Sequence, residues 1–161
     1  MNQTKILSID DDPEISSILR CRLELYNVNV LRAFSGMQGF WTAVSDQPAV
    51  IISDLVMPDG EGTYVFSRMQ SHPLTRQIPF IVLTGQGNPG IKRRLLNLGV
   101  TAYLPKPFVF NDVLSELRRH IDLPDQCMER RPADVEGQSQ RVLTELFSDG
   151  KQGPSSAGRL R

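Results

Sequence analysis

Residues 49–60 run Ala49-Val50-Ile51-Ile52-Ser53-Asp54-Leu55-Val56-Met57-Pro58-Asp59-Gly60. The unbroken apolar run from Ala49 to Ile52, preceded by Pro48, has the length and composition of a strand buried on both faces. Asp54 breaks it. Met57-Pro58-Asp59-Gly60 then supplies turn chemistry, with proline presetting φ and glycine free to take positive φ. Past the turn, Tyr64, Val65, Phe66 and Met69 recur at helical spacing until Pro73 ends the pattern. A strand buried on both faces needs parallel neighbours and helical cover, and the flanking sequence provides both.

Upstream, Ile6 to Ile9 is a second apolar run ending at Asp10, Asp11 and Asp12, and Pro13-Glu14 opens a helix carrying Ile15, Ile18, Leu19, Leu23 and Leu25. Val28 to Ala33 reads as a strand, Ser35 as an N-cap, and Met37, Phe40, Trp41 and Val44 as the apolar side of the next helix. Downstream, Phe80 to Leu83 is a strand, Gly85 to Gly90 a loop, and Ile91, Leu95 and Leu98 one face of a helix capped by Gly99. Thr101 to Leu104 is the last strand. After Lys106-Pro107, Phe110, Val113, Leu114, Leu117 and Ile121 share one face of a fifth helix. Five strands alternating with five helices over residues 1–121 predict a doubly wound α/β domain, with a parallel sheet between two layers of helices. Residues 122–161, with scattered proline and glycine, read as a tail, disordered or docked, whose stretch Val135–Phe147 is weakly amphipathic and short for an isolated helix.

Composition excludes several classes. With 18 basic and 18 acidic residues in 161, the chain has no net field favouring nucleic acid, and the tail holds no helix-turn-helix, so no direct DNA binding is expected. Cys21 and Cys127 form neither a disulfide framework nor a zinc spacing, which suits a reducing, cytoplasmic setting. No apolar run approaches the ~20 residues that span a bilayer, so no membrane association is expected.

In a parallel sheet the C-terminal strand ends meet at one edge, where ligands of open α/β folds bind. Here that edge would collect Asp10, Asp11, Asp54, Thr84 and Lys106. Carboxylates so placed repel one another, and either a bound hard cation or protonation of one group resolves the conflict; Mg²⁺ is the simpler resolution. Asp54, alone at its strand end, is the candidate nucleophile toward phosphorus, with Lys106, Thr84 and backbone N–H groups as charge stabilisers. Each residue also has an ordinary structural reading: the aspartate triplet as a helix N-terminus, which suits Asp12, Asp54 as a turn residue, and Lys106 as a surface lysine.

Taken together these residues resemble the receiver domains of two-component response regulators, of the stand-alone CheY-like type, over residues 5 to about 121. The matching stretches are Ile9-Asp10-Asp11-Asp12-Pro13, Asp54 through Gly62, Val82-Leu83-Thr84-Gly85, and Tyr103-Leu104-Pro105-Lys106-Pro107-Phe108. The resemblance implies a flavodoxin-like fold with strand order 2-1-3-4-5. It implies that Asp54 accepts a phosphoryl group from a sensor histidine kinase or a His phosphotransfer protein, and that Asp10, Asp11, Asp54 and the Val56 backbone carbonyl serve the Mg²⁺. Thr84 and Lys106 would contact the phosphoryl oxygens, and the Lys106-Pro107 bond would be cis. Thr84 and Tyr103 would form the switch that remodels the face of the fourth helix, fifth strand and fifth helix for an unknown protein target or a homodimer mate. Lys92, Arg93, Arg94, Arg118 and Arg119 make that face basic and suited to an acidic partner. Such a protein catalyses only its own phosphorylation and dephosphorylation.

Two departures from the family pattern stand out. Val109-Phe110 replaces a polar cap after Lys-Pro-Phe, which moves the expected start of the fifth helix to Asn111 as cap. Val56 and Gln86 occupy positions that in the family tune the lifetime of the acyl phosphate. Two other readings remain: a relay intermediate passing phosphate to a His phosphotransfer protein, and a phosphohydrolase of the haloacid dehalogenase type. The latter calls for a second Asp two residues after the nucleophile, where this chain has Val56.

Overall fold

The computed structural model describes residues 3–57, 62–85 and 88–124. The expected loop residues 58–61, Gln86, Gly87, Cys127 and the tail stretch Val135–Phe147 lie outside the described residues. The elements are β1 (Thr4–Ile9), α1 (Pro13–Glu24), β2 (Val28–Ala33), α2 (Gly36–Asp46), β3 (Val50–Ser53), α3 (Gly62–Ser71), β4 (Phe80–Thr84), α4 (Pro89–Asn97), β5 (Ala102–Pro105) and α5 (Phe110–Leu117). All strands are parallel, in the order β2-β1-β3-β4-β5, which is the flavodoxin-like order.

Alternation along each strand divides the interior into two cores. Leu7, Ile9, Ile51 and Val82 face α2, α3 and α4, meeting Phe40, Ala43, Phe66, Met69 and Leu95. Ile6, Val50, Ile52, Ile81 and Leu83 face the other way, against Leu19 and Leu23 of α1 and Val113, Leu114 and Leu117 of α5. Leu123, beyond α5, is buried in this second core. The central strands β3 and β4 are buried along their whole length, as their unbroken apolar sequence requires.

Local signals set the helix boundaries. Asp12 caps α1 by accepting from the Glu14 amide, Ser35 caps α2 by accepting from Gln38, and Gly99 ends the α4 region at a φ of +100°. Two side-chain expectations are corrected. The face that α2 turns to the sheet is Gly36, Gly39, Phe40 and Ala43, because a β-carbon on Gly39 would lie 2.4 Å from Ile9 Cδ1; Met37 and Trp41 are consequently exposed. The fifth helix starts at Phe110 with Val109 as N-cap and no side-chain cap bond, so Asn111 lies inside the first turn and not at the cap. Ile121 shares the apolar side of α5 but follows its end at Leu117, continuing through turns.

The start of α3 lies tight against the backbone of Asp54 and Leu55. Gly62 N–H donates to the Leu55 carbonyl at 2.7 Å, and a β-carbon at position 62 would sit 2.4 Å from the Asp54 carbonyl oxygen and 2.6 Å from Leu55 Cα. Backbone cannot rotate away as a side chain can. Gly62→Ala is therefore expected to cost about 1–3 kcal/mol of stability, the usual range for overpacking, seen as a lower midpoint in urea unfolding. A variant as stable as the wild type would contradict this close approach.

Candidate functional site

The five polar residues singled out in the sequence converge at the C-terminal edge of the sheet. Asp10 follows β1, Asp54 follows β3, Thr84 ends β4 and Lys106 follows β5. Strand register enforces the meeting: Asp10 N–H donates to Ala33 O at 3.0 Å, Asp54 N–H to Ile9 O at 2.9 Å, and Lys106 N–H to Thr84 O at 2.8 Å. Each ladder extends one residue past its strand and fixes the backbone from which a functional side chain projects. The Lys106-Pro107 peptide bond is cis.

Lys106 is the hub. Its ammonium donates to Asp10 Oδ2 at 2.7 Å and to Asp54 Oδ2 at 3.1 Å. Asp54 Oδ1 accepts from the amides of Leu55 at 2.6 Å and Val56 at 3.3 Å, so one carboxylate oxygen is held by backbone and the other by the ammonium. Asp10 Oδ1 accepts from the Asp12 amide at 2.9 Å. Asp10, Asp54 and Thr84 are buried, whereas Asp11 is exposed. One carboxylate oxygen from each of Asp10, Asp11 and Asp54 lies within 4.8 Å of the others. Among the described residues, three carboxylates thus gather with one ammonium that pairs with two of them, leaving a negative excess in an all-oxygen donor set of the kind hard divalent cations take.

The electrostatics follow from this crowding. Burial pushes the Asp10 carboxyl above its ordinary value, and the charge of Asp54 adds to the rise, while Lys106 and the Asp12 amide pull it back. For Lys106, burial opposes the ammonium, but the hydrogen bond and charge of Asp10, then those of Asp54, outweigh it and hold the group above the usual lysine value. Burial, and behind it the charge of Asp54, also raises the Tyr103 hydroxyl, so this buried ring on β5 lies within the electrostatic reach of Asp54. Lys92 Nζ of α4 stands 5.9 Å from the centroid of the same ring.

Two residues near the site carried no individual sequence signal. Ser16 of α1 is fully buried, and Arg32 of β2 donates to its hydroxyl at 2.9 Å and to the Pro13 carbonyl at 3.3 Å.

Residues 6–118 match the model of the response regulator receiver domain. The chain belongs to the response regulator receiver domain family. Among curated proteins this receiver domain is similar to the DNA-binding dual master transcriptional regulator RpaA of Synechocystis, 36% identical over 122 residues that make up 76% of this chain and 51% of that one. The chain thus spans about half the length of that relative, and less of some others, such as 28% of the transport regulator DctD of Pseudomonas aeruginosa. Among solved structures it superposes on the chemotaxis protein CheY4 of Vibrio cholerae with a TM-score of 0.69 at 27% identity, covering 74% of this chain and all of that one. At 24% identity and a TM-score of 0.67 it shares its fold with the receiver domain of the Pseudomonas aeruginosa sensor histidine kinase PA1611, over 74% of this chain and 98% of that one; that structure is described with a magnesium ion in its active-site cleft. No helix among the described residues is long and apolar enough to cross a membrane.

Because the folded value of Lys106 lies above its unfolded one, its stabilisation is complete below the ordinary lysine value of ~10.4 and is lost as pH rises from there through the higher folded value. The unfolding free energy of the wild type minus that of Lys106→Met is therefore expected to stay level from about pH 7 to about pH 9 and to fall above about pH 10. Denaturant titrations across this range measure it; a difference independent of pH would contradict the pairing.

Proposed function

We propose that this receiver domain accepts a phosphoryl group on Asp54 in a two-component phosphorelay, with a sensor histidine kinase or a His phosphotransfer protein as donor. The observation that carries the reading is the placement of the Asp54 carboxylate at a strand end, 3.1 Å from the Lys106 ammonium and grouped with the oxygens of Asp10 and Asp11. Asp54 attacks phosphorus as the P–N bond of the donor phosphohistidine breaks; the imidazole leaves with the electron pair and takes up a proton. Two backbone amides hold one carboxylate oxygen and Lys106 the other, so the group is aimed before the donor arrives.

Asp10, Asp11 and Asp54 fit a Mg²⁺ ion by donor type and spacing, and the Val56 carbonyl belongs to the same proposed set. Bound there, Mg²⁺ would neutralise charge on the transferring phosphoryl group. Once the acceptor oxygen carries phosphate, Lys106 is free to exchange a carboxylate partner for a phosphoryl oxygen, and Thr84 at the end of β4 supplies a hydroxyl beside it.

The output reading follows the same geometry. Thr84 and the buried Tyr103 are the proposed switch, and Lys92, lying over the Tyr103 ring, links it to the surface of α4. Lys92, Arg93 and Arg94 are exposed there and make no ion pair with a described residue, which favours a protein target with an acidic face. Phosphorylation would shift the balance between two arrangements of this surface. The printed activity of the RpaA relative belongs to a chain about twice as long, so transcriptional output is not carried over. A true phosphohydrolase would turn over external phosphate esters, whereas the reading here confines the chemistry to Asp54 of the protein itself.

Incubation with acetyl phosphate and Mg²⁺ is expected to add one phosphoryl group, detected by intact mass, and Asp54→Ala is expected to abolish it. Labelling that survives in Asp54→Ala, or phosphatase turnover that disappears in Asp54→Asn, would overturn the reading. Independently, millimolar Mg²⁺ is expected to raise the thermal midpoint of the wild type, since a ligand bound only to the folded state stabilises it. Asp11→Asn, at an exposed position, is expected to remove most of that rise; an equal rise in the variant would exclude Asp11 from the metal site.

A further inference from the structure

We propose that Arg32 is a positioning residue for the metal site: it fixes the backbone of the acidic loop, Asp10 to Asp12, and thereby sets Mg²⁺ affinity. This role presupposes that Asp10, Asp11 and Asp54 hold Mg²⁺. The acidic loop is tied at both ends to two consecutive residues of β2. At its start, Asp10 N–H donates to the Ala33 carbonyl at 3.0 Å. At its end, Arg32 Nη2 donates to the Pro13 carbonyl at 3.3 Å and Arg32 Nε to Ser16 Oγ at 2.9 Å, while Ser16 Oγ itself donates to Pro13 O at 3.1 Å. Register places Ser8 opposite Arg32 and Ile9 opposite Ala33, so both ties reach across from the adjacent strand to residues just beyond β1.

The clamp is itself braced. The guanidinium lies 5.1 Å from the centroid of the Phe34 ring, which restrains a side chain that would otherwise sweep through solvent. Within the loop, Asp10 Oδ1 accepts from the Asp12 amide and Asp12 Oδ1 from the Glu14 amide, both at 2.9 Å. A shift of the first turn of α1 would therefore pass directly to Asp10 and Asp11. Two donors set in a rigid plane meet two acceptors one turn apart, a match the single ammonium of lysine does not reproduce.

The sign of the effect separates this role from simple charge. A cation beside a cation site repels Mg²⁺ through space, so removing the charge alone tightens binding. A clamp acts in the opposite direction, because mutually repelling carboxylates are held at the separation the ion needs, as partners outside a metal's ligand shell commonly do.

Calorimetric titration with MgCl₂ of the wild type, Arg32→Met, Ser16→Ala, Arg32→Lys and the Arg32→Met/Ser16→Ala double variant tests this, with midpoints of the metal-free proteins measured alongside. The expected result is a Kd about tenfold higher in Arg32→Met, a smaller rise in Ser16→Ala, no restoration in Arg32→Lys, and a double variant that loses less than the sum of the two single losses, because both changes cut the same Arg32–Ser16 hydrogen bond. Unchanged or tighter Mg²⁺ binding in Arg32→Met, or additive losses in the double variant, would overturn the proposal. A lowered metal-free midpoint with an unchanged Kd would equally overturn it, as a merely structural role. Failure of the wild type to bind Mg²⁺ would overturn the metal-site reading and this inference with it.

Discussion

The ammonium of Lys106 between the carboxylates of Asp10 and Asp54 is the contact on which the site depends. Buried carboxylates that converge at one sheet edge destabilise the fold unless their charge is offset, and burial penalises each ion further. Lys106 offsets part of that cost from β5, at 2.7 Å from one carboxylate and 3.1 Å from the other. It does not offset all of it, since Asp11 adds a third carboxylate to the group. On the proposed reading, the remaining negative charge is what a cation would answer, and a cation bound there would let an anionic phosphate approach.

Parallel topology supplies the convergence. Because β1, β3, β4 and β5 run in the same direction with fixed register, their C-terminal ends present four side chains within one small region, although Asp10 and Lys106 are 96 residues apart in sequence. The scaffold beneath is closely packed, with β3 and β4 wholly buried. Tight approaches, such as Gly62 on the Asp54 carbonyl and Gly39 on Ile9, leave little room for the strand ends to drift. The Asp54 carboxylate is therefore placed by packing at its back and by amides and an ammonium at its front.

Much of this was legible in the sequence, for physical reasons that differ by feature. Strands β3 and β4 were visible because burial on both faces writes an unbroken apolar run, and the site residues were visible because polar groups immediately after such runs can only lie at the sheet edge. Helix faces were read less well. Met37 and Trp41 have helical spacing and apolar character, yet Gly36, Gly39 and Ala43 face the sheet, because the close approach of α2 to Ile9 excludes large side chains. Val109 showed the converse: a helix held by tertiary packing of Val113, Leu114 and Leu117 starts without a capping side chain. The Arg32–Ser16 tie joins positions on different elements through strand pairing, which no local spacing encodes.

On the proposed reading Asp54, and not one of its neighbours, is the carboxylate that takes phosphate. Borohydride reduces an acyl phosphate to an alcohol, converting a phosphorylated aspartate to homoserine. Treatment of the phosphorylated protein with borohydride followed by peptide sequencing by mass spectrometry is predicted to find homoserine at position 54, with Asp10 and Asp11 intact. Homoserine at position 10 or 11, or none at any position in phosphorylated protein, would contradict the account.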